Sequence, residues 1–242
     1  MVTEAIILAG GFGTRLQSVV NDVPKPMALV NNQPFLNYQL LYLKSFGITK
    51  VILSVGYLHE KISSYYKNIP IAIGIEGIEI EYCIEENPLG TGGGIRLAME
   101  KANSKTILVL NGDSFFDINI NDFFTQHDSF LADCSLALRK VNNASRYGTV
   151  KLGKDCEIKS FKEKDGLETE GLINAGVYLL NKNIYLSNTA EKINFSIEKD
   201  FFEKNKGELN LFGFEYEGYF IDIGIPEDYT KAQNDFKEFK YK

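Results

Sequence analysis

"AIILAGGFGTRL", residues 5–16, decides how the rest of the chain is read. Five apolar residues predict a buried strand, and Gly10, Gly11 and Gly13 predict that it ends in a bare loop. A glycine loop leaves backbone N–H groups free to converge on an anion. Arg15 adds a forked cation suited to phosphate oxygens. Two familiar phosphate loops fail here on specific positions. A dinucleotide fingerprint needs a third glycine and an acid about 20 residues on. Here Thr14, Arg15 and Leu16 follow Gly13, and residues 30–36, VNNQPFL, hold no carboxylate. The GxxxxGK[ST] pattern of a P-loop is absent as well.

Further on comes "DVPKPMALV", residues 22–30. Pro24 and Pro26 bracket Lys25, and a proline drives the residue before it out of the helical region. Lys25 is therefore predicted on a stiff extended segment, where holding its ammonium at a fixed point costs little entropy.

Working outward, apolar runs alternate with amphipathic stretches. Strands are predicted at 4–9, 50–55, 78–84 and 106–113, with helices at 35–47, 59–67 and 93–102 between them. That alternation implies a mostly parallel sheet with helices on both faces. Beyond residue 130 strands dominate, at 133–141, 148–153, 156–164, 172–180 and 208–224, with helices near 196–204 and 226–239. The reading is one α/β domain over 1–242, a nucleotide-type half followed by a strand-rich half, with a soft boundary near residue 115.

Composition narrows the function classes. The 242 residues are 44% hydrophobic and 24% charged, ample for a core. A net charge of −6 argues against a sequence-independent nucleic-acid binder. Cys83, Cys134 and Cys156 are widely spaced without a CxxC, so neither a disulfide framework nor a zinc site is predicted. The first residues lack a signal-peptide pattern, and no apolar run approaches the roughly 20 residues of a membrane span. A cytoplasmic protein without membrane or nucleic-acid partners is expected. His59 and His127 have no ligand-type partner nearby in sequence and read as surface helix residues.

GGFGTRL followed by PKPM resembles the signature of the sugar-1-phosphate nucleotidyltransferases, or NDP-sugar pyrophosphorylases. "NPLGTGGG" (87–94), "NGDSFF" (111–116), "RYGTV" (146–150), "KEK" (162–164), "NAGVYLL" (174–180) and "FIDIGIPEDY" (220–229) agree in order, so the likeness spans the chain. It implies a Rossmann-like nucleotidyltransferase fold with a strand-rich sugar-binding lobe and no C-terminal β-helix. The halves then become nucleotide-binding (about 1–115) and sugar-phosphate-binding (about 116–242). The implied reaction joins a nucleoside triphosphate to a sugar 1-phosphate and releases pyrophosphate.

The resemblance also implies roles. Arg15 and Lys25 are the catalytic cations at the triphosphate, held with the loop Leu8, Ala9, Gly10, Gly11, Gly13 and Thr14. Asp113 and Asp222 match the magnesium-binding aspartates, so Mg2+ is the expected cofactor. Glu163 and Lys164 would meet a sugar hydroxyl and the sugar phosphate, although a K-E-K-D run alone reads as a solvated loop. Gly148, Asn174 and Gly176 match sugar-side positions, and Arg146 and Tyr147 are weaker ones. Many relatives carry Trp where Phe220 stands here. Gly90 and Thr91 fall near the base.

Glu85 stands where thymidylyl relatives tend to place Gln. Two carboxylate oxygens accept the paired N1–H and N2–H donors of guanine, whereas an amide suits uracil or thymine. GTP is therefore the favoured nucleotide. Among short members, the chain looks most like bacterial guanylyltransferases acting on D-glycero-D-manno-heptose 1-phosphate. Mannose 1-phosphate guanylyl transfer, uridylyl transfer to N-acetylmuramic acid 1-phosphate and a non-catalytic sugar-nucleotide-binding module are the alternatives, and a homo-oligomer is left open.

Overall fold

A computed structural model describes residues 2–11, 20, 22–67, 74–162, 166 and 168–241. Its strands are β1 (Glu4–Leu8), β2 (Leu29–Val30), β3 (Gln33–Pro34), β4 (Lys50–Val55), β5 (Glu79–Ile84), β6 (Thr106–Asn111) and β7 (Ser114–Phe116) in the first half. There follow β8 (Cys134–Val141), β9 (Thr149–Leu152), β10 (Ile158–Lys162), β11 (Gly171–Asn181), β12 (Leu211–Glu215) and β13 (Phe220–Asp222). The helices are α1 (Phe35–Ser45), α2 (His59–Lys67), α3 (Gly90–Met99), α4 (Ile120–Ser129), α5 (Lys182–Asn188), α6 (Glu203–Asn205) and α7 (Pro226–Asp235).

The opening apolar run becomes β1, paired in parallel with β4 on one side and β6 on the other. A nine-stranded sheet grows from it in the order β5-β4-β1-β6-β11-β8-β12. The β9–β10 hairpin attaches at Leu172 and Ile173 of β11. Only β11 runs against its neighbours in the main path. The chain moves outward from β1 to β4 and β5, then returns to the opposite side of β1 as β6. Strand order thus reverses between β1 and β6, and α/β sheets bind ligands outside the carboxyl ends of the strands at such a reversal.

Period-two alternation gives the sheet a core on each face. Ala5, Ile7, Val51, Leu53, Leu108 and Leu110 pack with residues of α1, α2, α4 and α7. Ile6, Ile52, Ile107 and Val109 pack on the other face with residues of α3 and α5. No helix among the described residues is long and apolar enough to cross a membrane. No β-helix occurs among them either.

Several local expectations are corrected. Lys25 opens a single 3-10 turn, Lys25–Met27, rather than an extended segment; the Ala28 N–H reaches the Lys25 carbonyl at 2.9 Å. The helix expected at 93–102 begins at Gly90. The run 208–224 is not one strand, because β12 pairs with β8 while β13 pairs with β7 in a separate ladder. The chain crosses between them at Gly218, where a β-carbon would stand 1.6 Å from the Asp117 carbonyl oxygen. A π-helical turn (Glu198–Phe202) precedes α6 where one helix was expected. Helix α4 was expected only as the setting of His127, without bounds, and α5 not at all; Asn119 caps α4 by accepting from the Asn121 and Asp122 N–H groups. His127, on α4, is buried rather than at the surface, with Nδ1 2.8 Å from Ser135 Oγ.

Candidate active site

The turn after β6 carries Asp113 and sits beside the end of β1. The Gly112 N–H donates to the Leu8 carbonyl at 2.9 Å. A β-carbon on Gly112 would lie 2.4 Å from that oxygen and 3.0 Å from Pro26 Cγ, so only glycine lets these three segments meet. Buried Gln39 of α1 braces the same turn, donating from Nε2 to the Asn111 and Ser114 carbonyls at 2.8 Å each.

Lys25 approaches from the Pro26 side and places Nζ 2.9 Å from Asp113 Oδ2. Asp222 arrives through the β13–β7 ladder, in which it pairs with Ser114. The Ile223 N–H donates to the Asp113 carbonyl at 2.9 Å, tying the two acidic residues together through the backbone. The Gly224 N–H donates to Asp222 Oδ1 at 2.7 Å. A β-carbon on Gly224 would stand 2.7 Å from that oxygen and 3.4 Å from Lys25 Nζ, so Lys25, Asp113 and Asp222 form one cluster.

Burial, reinforced by the nearby Asp113 carboxylate, pushes the Asp222 carboxyl up to about 6. The Gly224 N–H, Lys25 and Arg146 pull the other way. An excess of negative charge at a half-buried point suits a cation. No group of three or more His, Cys, Asp or Glu residues assembles a protein cage among the described residues. Two neighbouring carboxylates fit Mg2+, which takes one or two carboxylates and completes its shell with phosphate oxygens and water.

Beside this cluster lies a cleft of about 890 Å³, lined by Leu8, Gly10, Gly11, Glu85, Gly90 and Thr91 on the predicted side, with Tyr57 and His59 opposite. The Ala9 N–H is held by the Ser54 carbonyl at 2.7 Å. Glu85 faces this cleft with both oxygens anchored. Oε1 accepts from Ser54 Oγ at 2.9 Å and Oε2 from the Leu89 N–H at 3.2 Å. A carboxylate offers about four acceptor sites, so two remain for a ligand. The Thr91 hydroxyl is already engaged, donating to Glu198 Oε2 at 2.9 Å and accepting from the Ile197 N–H at 3.0 Å. The glycines of "GTGGG" make room for another part of the chain: the Gly92 N–H reaches the Phe195 carbonyl at 2.9 Å.

The sugar-side candidates adjoin one another. The Asn174 N–H donates to the Gly148 carbonyl at 3.0 Å, and the Gly176 N–H donates to Asn174 Oδ1 at 3.0 Å. The register of β11 on β8 shifts between Asn174 and Tyr178, a local irregularity of the kind that re-aims side chains. Tyr147 packs its ring edge-on to Phe220, with centroids 5.7 Å apart. Phe220 also meets the Phe116 ring edge-on, with centroids 5.7 Å apart, so it has two aromatic partners. Gly13, Thr14, Arg15, Glu163 and Lys164 lie outside the described residues.

Sequence reasoning missed Gln39, which nothing but its burial distinguishes. It also missed Asn111, whose buried Oδ1 has no hydrogen-bond partner among the described residues. Its place directly before Gly112-Asp113 was the available signal.

A family model described as nucleotidyl transferase matches residues 4–238. The chain is 47% identical over 237 residues to a D-glycero-alpha-D-manno-heptose 1-phosphate guanylyltransferase of Aneurinibacillus thermoaerophilus, covering 98% of this chain and 99% of that one. It is 43% identical to a Campylobacter jejuni protein of the same name, covering 93% and 96%. The crystal structure of HddC from Yersinia pseudotuberculosis matches with a TM-score of 0.84 at 37% identity, covering 98% of this chain and 100% of that chain. The same protein complexed with GMP-PN matches at 0.81.

Proposed function

We propose that this chain, which belongs to the nucleotidyl transferase family, transfers a guanylyl group from GTP to D-glycero-α-D-manno-heptose 1-phosphate. The observation that carries the reading is the gathering of Lys25, Asp113 and Asp222 at the strand-order reversal, in a chain whose end-to-end relatives bear that name.

A phosphate oxygen of the sugar 1-phosphate attacks the α-phosphorus of GTP. A new oxygen–phosphorus bond forms as the bond to the departing pyrophosphate breaks. Both partners are anions, so the protein acts mainly by neutralising charge and aligning the two. Lys25 offers its ammonium at the triphosphate, kept in place by Asp113 and the proline-flanked turn. Asp113 and Asp222 would hold Mg2+, which would supply positive charge at the phosphates. Arg15 is the second cation of this reading, Lys164 receives the sugar phosphate and Glu163 accepts from a sugar hydroxyl.

Guanine fits the floor of the cleft, where Glu85 keeps acceptor capacity for adjacent N–H donors. Pre-anchoring by Ser54 and Leu89 lowers the cost of presenting that carboxylate. The site beside Gly148, Asn174 and Gly176 takes the sugar. The phosphate donors and the three free cysteines agree with a cytoplasmic enzyme.

A crossed screen of GTP, UTP, dTTP, CTP and ATP against heptose, mannose, glucose and N-acetylhexosamine 1-phosphates tests the reading. GTP with the heptose phosphate is expected to give the highest kcat/KM. Equal or better turnover with UTP overturns the guanine assignment, and a preference for mannose 1-phosphate overturns the sugar.

A further inference from the structure

Two motif residues have no part in the proposed reaction: Asp228 of "FIDIGIPEDY", and Arg146 of "RYGTV", a weaker sugar-side candidate. They are 82 residues apart in sequence, yet Arg146 Nη2 lies 2.5 Å from Asp228 Oδ2. The same nitrogen donates to the Tyr147 hydroxyl at 2.8 Å. Asp228 stands in the first turn of α7, directly after the strand that carries Asp222. Tyr147, the neighbour of Arg146, presses its ring against Phe220 at the start of that strand. The dipeptide Arg146-Tyr147 therefore touches the Asp222 segment on both flanks, one contact before the acid and one after it.

We propose that Arg146 and Asp228 are positioning residues, an ion pair that clamps the Phe220–Asp228 segment so that Asp222 faces Asp113. The proposal rests on the metal-site reading above and adds to it the device that sets the spacing of the two acids. Besides the clamp, the Asp222 backbone is held by a three-residue ladder with the equally short β7 and by the Ile223 N–H bond to the Asp113 carbonyl. Those contacts tie the strand to its neighbour, and the clamp adds an anchor on each flank of the acid. The pair is partly exposed, with side chains 40% and 24% accessible, so its contribution to global stability is small. Its effect belongs to geometry: it joins the turn before β9 to the helix after β13, and the Asp222 backbone lies between these anchors.

The test reads local exchange and metal binding, neither of which needs turnover. Backbone amide exchange is followed in metal-free protein over residues 218–225, with residues 106–111 of β6 as the internal reference. Mn2+ binding is followed by its paramagnetic resonance in the presence of a non-transferable GTP analogue. In Asp228→Asn, exchange at 218–225 is expected to quicken about tenfold with β6 unchanged, and Mn2+ binding to weaken about tenfold, as for other residues that orient metal ligands. The swap Arg146→Asp with Asp228→Arg is expected to recover most of both. Arg146→Met probes the clamp from its more exposed end should Asp228→Asn fold poorly. Unchanged exchange and Mn2+ affinity in both single variants overturn the proposal. So does faster exchange spread evenly into β6, or a folded swap that recovers nothing. Failure of wild-type protein with the nucleotide to bind Mn2+ overturns the metal reading instead, while the exchange data still decide the clamp.

Discussion

Lys25 donates from Nζ to Asp113 Oδ2 at 2.9 Å across 88 residues of chain. The ammonium is thereby parked against the acid that shares its site with Asp222. On the proposed function, the triphosphate would meet a cation already oriented, so little reorganisation would remain at the moment of reaction. Lys25→Ala is expected to lower kcat about 10²- to 10³-fold, the usual loss for removing one pre-organised charge donor. The pair is partly exposed, at 19% and 35%, so unfolding free energy is expected to change by less than about 1 kcal/mol. Pyrophosphate release and thermal melts of the same preparation separate the two effects.

Asp222 makes the metal-free protein sensitive to pH in an unusual direction. Its carboxyl is pushed up to about 6 from 3.8, so the folded state binds the proton more tightly than the unfolded chain. Stability contributed by that proton is present below about pH 4 and is lost as pH rises through about 6. Asp222→Asn is therefore expected to raise the melting temperature of metal-free protein at pH 8 while removing turnover. Melts between pH 4 and 8 check this; a lower melting temperature for the variant at pH 8 contradicts it.

Gln39 is fully buried and supplies the donor to two carbonyls that bracket Asp113. Gln39→Leu keeps the volume and strands both acceptors away from water. The expected cost is about 2–4 kcal/mol, measured by urea unfolding. A drop in kcat under conditions where the variant is fully folded is also expected, because the turn that holds Asp113 loses its brace.

His127 acts on stability alone. Burial lowers its pKa from 6.5 to about 4, against the opposing pull of Asp128 and Asp133, with Lys105 adding to the lowering. The unfolded chain takes up the proton first, so stability is complete above about pH 6.5 and falls as pH drops toward 4. The full loss is about 3 kcal/mol, and His127→Gln is expected to flatten that part of the profile. Denaturant titrations at pH 7 and pH 4.5 give the comparison.

Much of this architecture was legible in the sequence where burial imposed a clean period. The runs at 50–55 and 59–67 became β4 and α2 with the same bounds, because alternation and amphipathic spacing leave one solution each. The bounds of helix α4 were not legible because "INDFFTQHDS" buries only Ile120, Phe123 and His127, too sparse a stripe to stand out among polar residues. The break between β12 and β13 escaped for another reason: both halves are strand-like, and only their different partners separate them. At the site, residues with telling chemistry (Lys25 between prolines, Asp113 after a buried strand) were found by motif. Gln39 and the Arg146–Asp228 pair were not, since their meaning lies in contacts formed only after the sheet has assembled.

An ammonium and two acidic groups drawn from three remote stretches must act on a single phosphorus atom. Pyrophosphate release with GTP, heptose 1-phosphate and Mg2+ by Asp113→Ala and Asp222→Ala tests this most directly. The account predicts folded, cooperatively melting protein and no detectable turnover in either variant. Turnover near the wild-type level in a folded Asp113→Ala protein contradicts it.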